Sequence, residues 1–444
     1  MITRSSSAEA SEMLDRAQKV AAAIPDGGLF AEKAWRVSPE SFPLTRGEVK
    51  ALERLGPVFN RFQQACDLIY RRSQKGSLPP WIARYLNLGK PDSLLRMGQS
   101  SACLEALPQV IRPDLILTES GFVATELDSV PGGMGLTAWL GKIYHELDPG
   151  AEIVGGENGM TSGFASIFGE DGADVLVSEE ASDYRPEMEW LSAQLGNAWQ
   201  VHAAEPYEAS GRAVYRFFEL FDLPNLPGGL RVGEAASKGQ LHLTSPFKPW
   251  LEEKMWAALF WSRPLQEVWR RELRDSNWRR LQSVFPMSWI IDPAEVPHHA
   301  VIPELNIQSF SELREFSQSK RDLVLKLSGF NEKAWGSRSV TIGHDVPQDE
   351  WASAVDLAID AFETSPYVMQ RFHSGKLVSH PWWNPDSDRL EMMEGRARLC
   401  PYYFVEKGTH EVRLGGVLAT ICPSDKKVLH GMTEAIMVPC RIED

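Results

Sequence analysis

Two short runs carry the densest chemistry in the chain. Arg112-Pro113-Asp114 is followed, twelve positions after Asp114, by Glu126-Leu127-Asp128. The surrounding VIRPDLILTESGFVATELDS reads as two strands joined by a Glu-Ser-Gly turn. Side chains alternate along a strand, so Arg112 and Asp114 share one face of the first arm, and Glu126 and Asp128 one face of the second. If the arms pair, three carboxylates and one guanidinium converge. Clustered carboxylates raise one another's pKa unless a cation sits among them. Mg²⁺ suits such hard oxygen ligands and keeps substrate phosphates as further ones. Asp114, Glu126 and Asp128 are therefore the candidate metal ligands, and Arg112 the candidate catalytic group, placed to grip a transferring phosphoryl group. A solvated acidic hairpin is the commoner origin of such a trio. Against it, the second run leads into Pro131-Gly132-Gly133, a loop whose backbone N–H groups can approach an anion.

A second constellation surrounds Lys326. VLKLSG sets a lysine among apolar neighbours in a strand, where a cation is costly unless paired. GFNEKAWGSRS follows, with Gly329, Lys333, Gly336 and Arg338, and then the strand SVTIG. Strand, cationic loop and strand make a lid able to fold over a triphosphate; a lysine on the wet face of a half-buried sheet reads equally well. YVMQRF can offer backbone groups of Met369 to Phe372 to an adenine edge, with Gln370 on ribose or adenine, although any core strand has the same pattern. Lys248 and Lys254 flank Trp250, either as further cations for a nucleotide or as surface lysines of a helix. His298-His299 reads as a loop feature, since adjacent histidines lack metal-ligand spacing. Ser162 lacks the nucleophile-elbow pattern, and Cys103 reads as a core thiol.

The elements that must position these groups change character along the chain. The apolar residues Val49, Leu52, Leu55, Phe59, Phe62, Cys66, Ile69 and Tyr70 recur at helical spacing, and PPWIARYLNLG continues a helical lobe. ADVLVSE, AWQVHAAE and AVYRFFELFDL alternate with a helix over RPEMEWLSAQLG, predicting a small α/β layer with parallel pairing. A Trp-rich helical stretch runs from 246 to 282. DEWASAVDLAIDAFETS is predicted as a helix, YVMQRFHSGKLVSH as a strand running into a hairpin, and RARLCPYYFV, EVRLGGVLATIC and KVLHGMTEAIMV as antiparallel strands.

Composition bounds the rest. The 444 residues suffice for a sizeable core without disulfides, and the five cysteines form no CxxC pair, as expected of reduced thiols. The net charge of −14 argues against a nucleic-acid backbone as partner, though not against a nucleotide held by a local cluster of cations. Neither a signal core nor a membrane-length apolar run is present, so the expectation is a soluble, cytoplasmic protein with no membrane partner.

Together these segments resemble the circularly permuted ATP-grasp proteins, especially the synthetase domain of glutathionylspermidine synthase. That family carries R-x-D on one strand and E-x-N on the next, matched here by Arg112-Pro113-Asp114 and Glu126-Leu127-Asp128. VLKLSGFNEKAWGSRSVTIGHD resembles its lid with the lid lysine, YVMQRFH its adenine-binding hinge strand, and FKPWLEEKMWAALFW its Trp-and-Lys helix. Asp128 stands where the family has Asn, and the lid lacks a Gly-Gly pair. The resemblance covers about residues 105–440 and implies an α/β (α+β) fold. Its parts would be a helical N-terminal lobe (1–104), metal-binding strands (105–150), a small inserted α/β domain (151–245), a helical connector (246–308), and the lid, hinge strand and C-terminal sheet (309–444). It further implies an ATP-dependent carbon–nitrogen ligase that releases ADP and phosphate. A carboxylate would be activated as an acyl phosphate, then captured by an amine to give an amide or peptide bond. The substrates would be small-molecule or peptide carboxylates and amines. ATP would lie on Lys326, Lys333, Gln370, Arg371, Phe372 and Lys254, with Mg²⁺ on Asp114, Glu126 and Asp128. A phosphotransferase of the same fold and a catalytically silent nucleotide-binding or scaffold protein are the rival readings.

Overall fold

A computed structural model describes residues 7–334, 338–426, 428–429 and 433–444. Among the described residues, three sheets organise the chain. The largest has nine strands. Its main path runs Ala34–Arg36, Thr433–Glu443, Val412–Pro423, Arg389–Val405, Val110–Thr118 and Gly121–Asp128. Leu377–Asn384 pairs with the first part of Arg389–Val405, while Phe42–Thr45 and Glu152–Ile153 flank the last strand. A second sheet is antiparallel, in the order Ser288–Ile290, Tyr367–Arg371, Leu323–Leu327, Thr341–Ile342. The third is parallel, in the order Gln200–Ala203, Asp174–Val177, Val214–Phe217, Leu243–Thr244. The fold is thus mixed α/β. No described helix is long and apolar enough to cross a membrane.

The helix read from the apolar period runs Arg46–Gln74. It begins with a capping box: the Thr45 hydroxyl accepts from the Glu48 N–H while the Glu48 carboxylate accepts from the Thr45 N–H. Its buried face lies on the large sheet, where Tyr403 Oη donates to the Leu52 carbonyl at 2.7 Å. Phe62 stacks on Trp269, with centroids 5.3 Å apart, and the Trp-rich helices Met255–Trp261 and Gln266–Val284 close that side. Gly56 is required by this contact, because a Cβ there would lie 2.6 Å from the Tyr403 ring.

The first hundred residues depart from the expected helical lobe. Ala34–Arg36 and Phe42–Thr45 are strands that pair in parallel with the C-terminal strand. Their sequence is too short to show a period, and their partner lies about four hundred positions away. The expected hairpin after YVMQRF is also redistributed. Tyr367–Arg371 is an interior strand of the second sheet, and the hairpin is made by Leu377–Asn384 with Arg389–Val405.

Candidate active site

The two arms of the 110–128 hairpin place Arg112 opposite Asp128 and Asp114 opposite Glu126. Opposed residues in an antiparallel pair share a face, so the four charged groups meet as the spacing predicts. A bulge intervenes: Leu115 pairs with Ala124, leaving Thr125 without a ladder partner. The extra residue keeps Val123 and Glu126 on one face. It also frees the Thr125 carbonyl, to which Lys326 Nζ donates at 2.6 Å. That bond joins the large sheet to the second sheet across the site.

Each carboxylate faces a cation. Arg112 Nη2 lies 3.1 Å from Asp128 Oδ2 and its Nε 3.1 Å from Asp114 Oδ1. Arg112 Nη1 donates to the Gly132 carbonyl at 3.0 Å. Arg398 Nη1 donates to Asp114 Oδ2 at 3.0 Å, so both Asp114 oxygens meet guanidinium groups. Lys254 Nζ lies 3.0 Å from Glu126 Oε1 and donates to the Ala334 carbonyl at 3.1 Å. Burial would raise the Asp114 carboxyl, but Arg112 and Arg398 hold it below its ordinary value. Asp128 is raised, because burial outweighs its single guanidinium partner. Burial pulls Lys326 down to about 8, whereas Lys254, equally enclosed, is held up by Glu126.

These groups open onto a cavity of about 790 Å³ between the three sheets, within the range of small-molecule sites. Arg112, Asp114, Glu126, Asp128, Lys254 and Lys326 line it, and Gln370, Arg371 and Phe372 face it from the second sheet. Gln370 is 3% exposed, and its Nε2 has no hydrogen-bond partner among the described residues. Lys333 is exposed and outside the lining, so the structure does not bring it to the other candidates. Gly336 lies outside the described residues.

Three expectations are corrected. The Arg371 and Phe372 N–H groups are not free for an adenine edge, since they donate to the Met287 and Asp322 carbonyls at 2.8 and 3.0 Å. An interior strand satisfies its backbone on both sides. Lys248 is not beside Lys254 in the cavity; it is 1% exposed, 3.1 Å from Asp67, and donates to the Leu104 carbonyl. The anion held by the Pro131-Gly132-Gly133 loop is internal: the buried Glu187 carboxylate accepts from Gly133 N at 2.7 Å and Leu136 N at 2.9 Å.

Other lining residues were not singled out from sequence. Arg396, Arg398, Cys400 and Tyr402 alternate along Arg389–Val405 and face the cavity, a period-two signal with nothing local to mark it as functional. The opposite wall is acidic. Glu180 and Asp183 follow Asp174–Val177, and Glu219 follows Val214–Phe217, at the carboxyl ends of adjacent parallel strands. The chain steps from Asp174–Val177 out to the edge strand Gln200–Ala203 and then back across to Val214–Phe217, so the winding reverses there, the usual place for a ligand crevice in a parallel sheet. Burial and the nearby Glu252 push the Glu219 carboxyl up to about 8.

The same arrangement of sheets occurs in a solved protein. A glutathione synthetase-like effector from Globodera pallida, in its apo form, superposes with a TM-score of 0.54 over 100% of this chain and 99% of that one, at 10% identity. The chain shares the overall fold of that effector. A putative gamma-glutamylcysteine synthetase from Methylobacillus flagellatus aligns over 84% of this chain and 86% of its own at 10% identity, with a TM-score of 0.37. No protein-family model and no curated protein matches the sequence.

Proposed function

We propose that the protein is an ATP-dependent carboxylate–amine ligase of the permuted ATP-grasp type, with its site in the cavity behind the 110–128 hairpin. The observation that carries this reading is the convergence of Arg112, Glu126 and Asp128 with Lys254 and Lys326, from separate sheets and helices, on one enclosed space. A triphosphate needs such cations, and the shared fold with a synthetase-like protein is compatible with it.

The donor chemistry fits Mg²⁺. Among the described residues no three His, Cys, Asp or Glu side chains are grouped to hold a metal, but Mg²⁺ is commonly held by one or two carboxylates together with substrate phosphates. Glu126 and Asp128 would be those two. Asp114, with both oxygens met by guanidiniums, orients Arg112 and Arg398 and stands next to the metal position. Bound Mg²⁺ would neutralise phosphate charge. Lys326 and Lys254 would hold phosphate oxygens, and Gln370 would offer its unpartnered Nε2 to the nucleotide. Arg112 would steady charge on the phosphoryl group as it passes to a substrate carboxylate. The acidic wall around Glu180 and Asp183 suits the cationic amine that then displaces phosphate.

Calorimetric titration with Mg-ATP, followed by phosphate-release assays over mixtures of carboxylates and amines, tests the reading. The expected result is binding, with phosphate released only when both substrate types are present. Absence of Mg-ATP binding would sink it, and phosphate transfer without any amine would replace it with a phosphotransferase.

A further inference from the structure

Arg112 is held from two sides. The acidic partners lie on its own hairpin. The other contact is the Gly132 carbonyl, which also accepts from Tyr402 Oη at 2.7 Å. The position of that carbonyl depends on how the Pro131-Gly132-Gly133 loop is fixed.

The loop is moulded onto a second helix, Arg185–Leu195. Gly133 has φ +84°, and a Cβ on Gly132 would lie 2.2 Å from the Tyr184 ring. A Cβ on Gly135 would lie 2.1 Å from the carbonyl oxygen of Glu187. Into this close approach Glu187 inserts a fully buried carboxylate. Its two oxygens take separate N–H groups, Gly133 at 2.7 Å and Leu136 at 2.9 Å, at the start of the helix Met134–Leu147. One residue thus caps the helix from another helix, and clamps the peptide that carries Arg112's carbonyl partner.

We propose that Glu187 is a positioning residue, setting the Arg112 guanidinium through the Gly132–Gly133 peptide. The inference rests on the role given to Arg112 above. Only the carboxylate form accepts at both oxygens; protonation, or replacement by an amide, turns one acceptor into a donor facing an N–H.

Burial pushes the Glu187 carboxyl up to about 7, against the pull of its N–H partners and of Arg112. The groups facing it are Arg112, Tyr184, Tyr215 and Tyr402. Arg112 stays charged, and burial raises all three phenols, so these neighbours do not titrate near neutrality. On its own helix Arg185 lies against Glu189, and before it Asp183 pairs with Lys33, both pairs at the surface. The clamp should close as pH rises through about 7.

The experiment compares the wild-type chain with Glu187→Gln, without nucleotide, between pH 6 and 8. Amide exchange of the 131–136 segment and the Arg112 Nε–H signal in ¹⁵N-arginine NMR are followed, the latter assigned with Arg112→Lys. In the wild type, protection corrected for intrinsic exchange should rise about tenfold, as loss of one buried hydrogen bond implies, and the Arg112 signal should move with the same midpoint. Glu187→Gln should show neither step. Persistence of both steps in the variant, or an Arg112 signal that ignores the loop, would overturn the proposal. If the variant does not fold, the wild type decides: no step overturns it, and a shared midpoint near 7 supports it. Because both signals are read without ATP, failure of the ligase reading, seen as no Mg-ATP binding, is separately visible.

Discussion

The 110–128 hairpin and the Arg389–Val405 strand lie side by side in one sheet and supply adjacent parts of one charged site, yet they come together in opposite ways. In the hairpin, the residues that meet are close in sequence, and period-two alternation with a short turn is enough to bring them together. In the long strand, Arg398 reaches Asp114 only because Arg398 and Leu399 pair with Ile116 and Leu115. The hairpin carries the carboxylates, and the distant strand brings the second guanidinium that keeps Asp114 ionised.

The largest effect is expected from Asp114→Ala. It leaves two buried guanidinium groups facing one another without their shared counter-charge. Breaking a buried pair in this way costs about 3–5 kcal/mol, read as a lower midpoint in urea. Arg398→Ala should cost less, since Arg112 still faces Asp114. Equal losses would mean that the two halves do not act as described.

The next effect is on acid stability, on another strand of the same sheet. His380 is 3% exposed, and burial lowers its pKa to about 4. The unfolded chain therefore binds the proton first, and stability falls as pH drops from about 6.5 to about 4. A shift of that size is worth on the order of 3 kcal/mol. His380→Gln should flatten the slope of unfolding free energy in this window; an unchanged slope would remove His380 as its source.

A third test separates two lysines that look alike in sequence. Lys326→Met should weaken Mg-ATP binding about 10–100-fold, the value of a charge-assisted bond of about 1.5–3 kcal/mol. Lys333→Met should change it by less than about twofold, as expected for an exposed charge in high dielectric. Equal effects in calorimetry would mean that the lid brings Lys333 to the nucleotide after all.

Much of the site was legible because it is local. The Arg-x-Asp and Glu-x-Asp spacing and the lysine in an apolar strand each follow from chain geometry over a few residues. The small parallel sheet was equally readable, since strand and helix alternate there at short intervals. The Pro-Gly-Gly loop does bring N–H groups to an anion, but local sequence cannot say that the anion is the chain's own Glu187, more than fifty positions later, rather than a ligand.

Local sequence therefore set the longer elements and the face each charged residue takes on its own strand, though not the short strands Ala34–Arg36 and Phe42–Thr45. The tertiary structure alone decided which faces meet. It set Arg398 and Cys400 beside Asp114, turned the bulged Thr125 carbonyl toward Lys326, paired Lys248 with Asp67 and left Lys333 in solvent. The physical reason is that alternation and capping act between neighbours along the chain. Long-range pairing is instead selected by burial of whole faces, which no short window of sequence contains.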